Sequence, residues 1–325
     1  MIGRHALLRR LADGAQHSAA SLGEELESAA LDRGLEELRG WGLDIESSAH
    51  GHRLGAALDL IDSQALVSSL APQCAATLDR LECFDEIDST NAHLLAARGL
   101  APGRWRACLA EFQSAGRGRR GRAWNAPPAS GLCVSFAWTF ARAPATLSAI
   151  SLAAGVAVLR ALRAQGISAL TLKWPNDVLR EGRKLGGILC EVRAEPDGAV
   201  YVVVGAGINV RLAAETSAAI SAGGGMEPTD LVHEGAVPSR TVLATALLER
   251  FVAMAIEFEA LGFGPFQPEW NRADALRDRP VRVCGPSAER EGVARGIDAD
   301  GALRFERGGR LERLTAGDVT LRAVA

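Results

Sequence analysis

Three short stretches carry the side chains best suited to chemistry. Gly116-Arg117-Gly118-Arg119-Arg120-Gly121-Arg122 sets four guanidiniums on a glycine-rich backbone. Lys173-Trp174-Pro175-Asn176-Asp177 adds an ammonium, an amide and a carboxylate, and Lys184-Leu185-Gly186-Gly187 adds a second ammonium. Glycines let the main chain curl close to a ligand, so backbone N–H groups can point inward beside the fork-shaped donors of arginine. The surroundings agree in sign. No carboxylate lies between Glu111 and Asp177, whereas Arg117, Arg119, Arg120, Arg122, Arg142, Arg160, Arg163 and Lys173 are all cationic. Such a field favours a phosphate or a carboxylate. Of 36 Lys+Arg residues only two, Lys173 and Lys184, are lysine. Where arginine serves almost everywhere, lysine kept at two places indicates that a compact, deformable ammonium is needed there. No serine sits in a nucleophile elbow, and His93 reads as a helix-surface residue. The chemistry is therefore electrostatic: two poorly reactive anions brought together while cations offset their repulsion. Activation of a carboxylic acid by a nucleotide fits, with Trp124 as an apolar cover for a base or ring.

Two other readings of the loop compete. Gly116-x-Gly118-x-x-Gly121 also fits a dinucleotide fingerprint, which needs a helix opening at the glycines and an acidic residue about twenty positions on. Pro127-Pro128 forbids that helix, and the carboxylate is missing. An arginine-glycine run can also be a disordered or RNA-binding tail. Apolar strand-like runs on both sides oppose that.

The elements that must position these groups follow from periodicity. Residues 5–11, 22–26 and 31–38 have helical spacing, and 42–46 with 52–54 form a small hairpin around Ser47-Ser48-Ala49-His50-Gly51. A winged helix-turn-helix and a plain three-helix interaction module fit this pattern equally. Asp62 caps a helix that runs to Leu70, where Pro72 marks its end. Residues 81–87 alternate as a strand, and Asp88-Ser89-Thr90-Asn91 opens a helix. Strands follow at 105–112 and 132–138, with a long buried helix over 145–162. Residues 170–179 read as one strand broken by Pro175, which projects Lys173, Asn176 and Asp177 into a cavity. Strands over 184–192 and 201–210 carry paired glycines, the sign of close approach by a ligand or another backbone. Residues 211–237 are small and soft around Gly223-Gly224-Gly225, a mobile lid candidate. An amphipathic helix spans 239–261, and 266–272 is a short helical piece. From about Asp278 the pattern becomes all-β with turns such as Gly285-Pro286, a small barrel of about five strands.

At 325 residues with 48% hydrophobic residues, two or three domains with full cores are expected. The absence of an export signal and of an 18-residue apolar span points to the cytoplasm and away from membranes. The six cysteines, without a C-x-x-C pair, read as reduced structural thiols. That spacing argues against a metal cluster.

The segments 116–124, 173–177, 184–189 and Gly205-Ala206-Gly207-Ile208-Asn209 resemble, in order and spacing, the signature segments of biotin protein ligases. The similarity runs through all three expected domains and is closest to the bifunctional bacterial type that joins ligase activity to biotin operon repression. It implies an α+β architecture: a winged helix-turn-helix over 1–65, a mixed-sheet catalytic domain over 66–273 and an SH3-like β-barrel over 274–325. It also implies the reaction. Biotin and Mg-ATP give biotinyl-5′-adenylate and pyrophosphate, and a lysine of the biotin carboxyl carrier protein of acetyl-CoA carboxylase then attacks the adenylate. Matched motif by motif, Ser89, Thr90, Asn91, Gln113, Arg117, Gly118, Arg119 and Lys184 fall at biotin-binding positions. Trp124, Asn176 and Asn209, with Arg117 and Arg122, fall near the nucleotide. The resemblance assigns catalysis to Lys184, Arg119, Lys173 and Asp177, with magnesium arriving on ATP and held by no protein cluster. Homodimerisation with biotinyl-adenylate is a family expectation. A repressor that uses the ligase domain as a biotin sensor is the alternative main role; a dinucleotide enzyme is the remote one. Between residues 20 and 48 the chain has eight acids, Glu24, Glu25, Glu27, Asp32, Glu36, Glu37, Asp44 and Glu46, against Arg33 and Arg39. A face of that sign predicts weak DNA binding.

Overall fold

The computed structural model describes residues 4–22, 28–222, 226–232, 237–284, 289–315 and 320–323. At the start, helices α1 (Arg4–Leu11), α2 (Ala19–Leu22) and α3 (Ser28–Gly40) precede a hairpin of β1 (Ile45–Ser48) and β2 (Gly51–Leu54). Their core is almost wholly leucine: Leu7, Leu8, Leu11, Leu22, Leu31, Leu35 and Leu38, closed by Ile45 and Leu54. Gly34 sits in α3 for a packing reason. A Cβ there would lie 3.0 Å from Leu7 Cδ2, so the missing side chain lets α1 approach. Of the second helix expected over 22–26, only Leu22 falls within the described residues, as the last residue of α2.

The chain crosses from this core to the central one between Leu58 and Ile61. The Ile61 N–H donates to Glu111 Oε1 at 2.7 Å, and Glu111 Oε2 meets Arg240 Nη1 at 2.5 Å. Arg240 also donates to the carbonyls of Gly131 at 2.9 Å and Asp59 at 2.8 Å, so this buried ion pair fixes the crossing.

The central part runs α4 (Ser63–Ser69), α5 (Pro72–Thr77), β3 (Leu78–Ile87), α6 (Thr90–Ala96), β4 (Trp105–Gln113), β5 (Gly131–Phe140), α7 (Ile150–Ala164), β6 (Leu170–Lys173), β7 (Asp177–Arg180), β8 (Arg183–Ala194), β9 (Val200–Asn209), α8 (Ala214–Ala222), α9 (Arg240–Leu261) and α10 (Gln267–Ala273). Its seven-stranded sheet has the order β3-β4-β5-β9-β8-β7-β6, with β3 and β4 parallel across α6 and the other pairs antiparallel. β5 is buried along its whole length because both faces are covered. Leu132, Val134, Phe136, Trp138 and Phe140 turn toward the core of α7 and α9, while Ala137 joins the small cluster under α6. Cys133 and Ser135 share that second face and line a cavity.

The last part, β10 (Pro280–Cys284), β11 (Arg290–Ile297), β12 (Leu303–Arg307), β13 (Arg310–Leu314) and β14 (Thr320–Ala323), is a five-stranded antiparallel sheet. Val281, Val283, Ala294, Ile297, Leu303 and Phe305 merge with the central core. Trp174 Nε1 donates to the Gly301 carbonyl at 3.2 Å, which ties the functional 174–176 turn to this sheet.

Four expectations change. Pro72 ends one helix by starting another, α5, because proline suits the first helical turn. Residues 170–179 form a hairpin at the sheet edge, with β6 paired antiparallel to β7 and Trp174-Pro175-Asn176 as its turn. The soft stretch after Val210 holds α8; its Gly223-Gly224-Gly225 centre lies outside the described residues, as does Gly285-Pro286. One described stretch, Leu147–Ala164, is long and apolar enough to cross a membrane, against the reading that none exists; 67% of it is buried as the core helix α7.

Candidate active site

Strand ends and turns of one sheet face converge on a cavity of about 150 Å³. The 116–122 loop leaves β4, folds on itself and returns toward β5. Gly118 N–H bonds the Arg122 carbonyl at 2.7 Å, and Trp124 N–H bonds the Gly116 carbonyl at 2.8 Å. Arg120 stands at φ 60°, the left-handed region. A Cβ on Gly116 would lie 2.3 Å from the Trp124 carbonyl oxygen, so this turn admits only glycine. Trp124 lies flat over β9 for the same reason: a Cβ on Gly207 would meet its ring at 2.5 Å.

The inner end of the cavity is neutral and polar. Ser89 caps α6 by accepting from the Ala92 N–H at 3.4 Å. Gln113 Oε1 accepts from the Thr90 N–H at 2.9 Å and from Thr90 Oγ1 at 3.1 Å. Ser135 Oγ lies 2.8 Å from Thr90 Oγ1 and donates to Asn91 Oδ1 at 2.6 Å. These groups hold one another with fixed donors and acceptors, which suits a neutral ring bearing both kinds of group.

The outer end is ionic. Lys184 Nζ lies 2.8 Å from Asp177 Oδ1 and Lys173 Nζ 3.6 Å from Asp177 Oδ2, so both lysines of the chain clasp one carboxylate. Arg119 Nη1 donates to Asn176 Oδ1 at 3.1 Å, and Asn176 Nδ2 donates to the Ile188 carbonyl at 3.0 Å. Burial pulls the Lys173 ammonium below the usual lysine range, aided by the nearby charges of Lys184 and Arg122 and opposed by Asp177. Burial also lowers Arg119, with Arg120 adding repulsion. Counting Arg117, Arg119, Arg120, Arg122, Lys173 and Lys184, six cationic side chains line the cavity against the single carboxylate of Asp177. The cationic excess remains after Asp177 is counted, so an anion is the expected guest.

Ser89, Thr90, Asn91, Gln113, Arg117, Gly118, Arg119, Arg122, Trp124, Lys173, Asn176, Asp177 and Lys184 all line this cavity. Asn209 does not. Buried at the end of β9, it donates to the Thr229 carbonyl at 3.0 Å and the Lys184 carbonyl at 3.4 Å. It belongs to a strap in which Lys184 N–H bonds the Glu227 carbonyl at 2.8 Å and Thr229 N–H bonds the Lys184 carbonyl at 2.9 Å. Asn209 thus holds the backbone of Lys184 from just outside the cavity lining. His93 is not a free surface group: it lies 3.0 Å from Glu82 and edge-on to Phe84, away from the cavity. Ser135, Cys133 and Glu191 were not singled out. Period-two alternation along β5 and β8 was the available signal. Burial pushes the Cys133 thiol up to about 11, which makes it a poor nucleophile. Among the described residues no group of three or more His, Cys, Asp or Glu side chains gathers to hold a metal.

The model of the biotin/lipoate A/B protein ligase family matches residues 84–209, and that of the biotin protein ligase C-terminal domain matches 278–322. The bifunctional ligase/repressor BirA of Salmonella typhimurium is 36% identical over 98% of this chain and 97% of its own length. The biotin--[acetyl-CoA-carboxylase] ligase of Mycobacterium tuberculosis is 38% identical over 74% of this chain and 88% of its own. Among solved structures, the biotin protein ligase from Aquifex aeolicus in complex with biotin and ATP aligns with a TM-score of 0.62 and 25% identity, covering 76% of this chain and 100% of that one.

Proposed function

The chain belongs to the biotin protein ligase family, and we infer from its cavity how it carries out that family's ATP-dependent ligation. Biotin's carboxylate oxygen attacks the α-phosphorus of ATP, the bond to the β-phosphate bridge breaks, and pyrophosphate leaves. The amine of a carrier-protein lysine then attacks the acyl carbon, forming an amide as AMP departs and the amine loses a proton.

The division of the cavity supports one orientation. Thr90, Asn91, Gln113 and Ser135 at the neutral end take the fused ring, and the ionic end takes the carboxylate and triphosphate. Both reacting groups are anions, so their approach costs Coulomb energy that fixed cations offset. Lys184 and Arg119, at the ionic end, serve the carboxylate and the α-phosphate. Lys173, held by Asp177 and lowered by burial, serves the phosphate side. Trp124 covers the adenine or ring. Asp177 is the one carboxylate among the described residues that line the cavity and is bonded to both lysines; in this reading magnesium arrives on the triphosphate. Asp177 is placed to orient the incoming ammonium in the second step, since it already holds ammonium groups at this spot.

The observation that carries this reading is the cationic excess at one end of a cavity whose other end is neutral and polar. Incubating the purified chain with biotin, Mg-ATP and a biotin carboxyl carrier domain should yield biotinyl-adenylate and biotinylated carrier by mass. Neither product from folded protein would overturn it.

A second reading, repression of a biotin operon, is favoured by the names of the bifunctional relatives and by three helices followed by a hairpin. A winged helix-turn-helix fits that order. Against it stands the lack of a cationic excess on α3, which exposes Asp32 and Glu36 beside Arg33 and Arg39. Dimerisation belongs to the same reading and rests on the family alone.

A further inference from the structure

Glu191 lies on β8 just beyond the cavity wall, on the strand face that carries Gly187 and Leu189 into it. Its carboxylate has two oxygens and uses both on different elements. Oε1 receives Arg117 Nη2 at 2.5 Å, from the arginine-glycine loop. Oε2 receives Asn91 Nδ2 at 2.9 Å, from the start of α6. Asn91 Nδ2 also bonds the Leu189 carbonyl at 3.2 Å, which leaves Asn91 Oδ1 toward Ser135. Gly205 makes room for that amide, since a Cβ there would lie 2.1 Å from Asn91 Oδ1. Glu191 therefore sets which way the Asn91 amide faces and where Arg117 stands.

We propose that Glu191 is the positioning residue that couples the arginine-glycine loop to the polar floor of the cavity, so that loop closure and ring recognition occur as one event. This rests on the biotin-ligase reading of the site. Four guanidiniums on seven residues repel one another, and among the described loop contacts Glu191 is the carboxylate that draws one of them inward. Only an ionised carboxylate can accept from both partners. Glutamine presents a single acceptor oxygen, and aspartate is one methylene too short to span both.

The test measures biotin KM, kcat and trypsin cutting after Arg120 and Arg122 in the wild type, Glu191→Gln and Glu191→Ala. Glu191→Ala should raise biotin KM about tenfold, the scale of one lost charge-assisted hydrogen bond, and change kcat less than about twofold. It should also speed loop cutting about tenfold in the absence of ligand, and Arg117→Ala should add nothing to it in the double variant. Glu191→Gln should fall between. Wild-type KM and wild-type cutting in Glu191→Ala would overturn the proposal, as would a loss confined to kcat. If Glu191→Ala fails to melt cooperatively, the near-isosteric Glu191→Gln decides by the same readings. The ligand-free cutting assay reads the strut even if the wild type makes no biotinyl-adenylate, an outcome that would sink the ligase reading instead.

Discussion

The arginine-glycine site and the N-terminal helices use cations in opposite ways. At the site six cationic side chains line a cavity whose wall carries the one carboxylate of Asp177, which holds Lys173 and Lys184, while Glu191 just beyond the wall holds Arg117. In the N-terminal part the cations are spent locally. Arg4 bonds Glu37 and Glu86, Arg9 bonds Asp85 at 2.6 Å, and Arg53 bonds Glu46 at 2.7 Å. Arg39 donates to Ser47 Oγ at 2.7 Å and Arg10 to the Ser21 carbonyl at 2.6 Å. Asp85 and Glu86 belong to β3, so two of these pairs dock α1 on the catalytic sheet. Trp41 stacks on Phe112 at 4.8 Å beside them. Similar numbers of arginines thus make an anion receptor in one place and an internal joint in the other. What separates them is whether carboxylates lie within reach.

The sharpest way to break the comparison is to remove surplus charge from the site. Lys184→Ala should lower adenylate formation at least about a hundredfold, the scale of removing one preorganised donor to a developing charge. Lys184→Arg should not restore it, because a flat, wide guanidinium sets its charge farther along the side chain and in a different plane from the compact ammonium that Asp177 holds. Pyrophosphate release measured beside a thermal melt checks both; near wild-type turnover in the arginine variant would show that any cation suffices.

A smaller effect is expected in the loop. The surplus of like charge should keep residues 116–122 open to protease until an anion enters, so saturating biotin should slow trypsin cutting there about tenfold. Equal cutting with and without biotin would mean that Glu191 and the loop's own backbone bonds hold it without help from ligand.

How much of this was legible in the sequence depends on what kind of signal each residue left. The loop, both lysines, Asn176 and Asp177 were readable because composition made them exceptional: two lysines among arginines, and a long interval without carboxylates. The strand–helix order was readable from periodicity. The contacts of Asn209 were not legible, because a buried amide at a strand end looks the same in sequence whether it faces ligand or backbone, and the strap at Glu227 and Thr229 comes from a distant stretch. Glu191 left only the period-two alternation of β8, since its role depends on Asn91 at the start of α6 and Arg117 in the loop, 100 and 74 residues away. The 174–176 hairpin was read as a single strand because apolar residues on both sides of Pro175 mask the reversal of direction.

The smallest effect, and the one that tests the other half of the comparison, concerns DNA. Lys/Arg contacts to phosphate supply most of the affinity for a duplex, and a second helix of a helix-turn-helix would lie in the major groove. Here α3 would be that helix. It exposes Asp32 and Glu36 with Arg33 and Arg39, and Glu37 is already bonded to Arg4. Glu24, Glu25 and Glu27 lie outside the described residues and add acidic charge by composition alone. Arg9, which a free N-terminal module would offer to phosphate, is bonded to Asp85, and on the hairpin Arg53 is matched by Glu46. Arg10 and Arg39 bond neutral oxygens and keep their charge, with Arg33 exposed beside them, a small set from which to release counterions. We therefore expect less than about threefold preference for a biotin operator over scrambled DNA at low salt with saturating biotinyl-adenylate, against the thousandfold or more of specific regulators. Reversing Asp32 and Glu36 to arginine should raise binding to both DNAs together, with a steeper salt dependence. A mobility-shift titration reads both results. Specific nanomolar binding by the unaltered chain would show that its N-terminal cations leave their carboxylates for DNA, and the contrast between receptor and joint would fail.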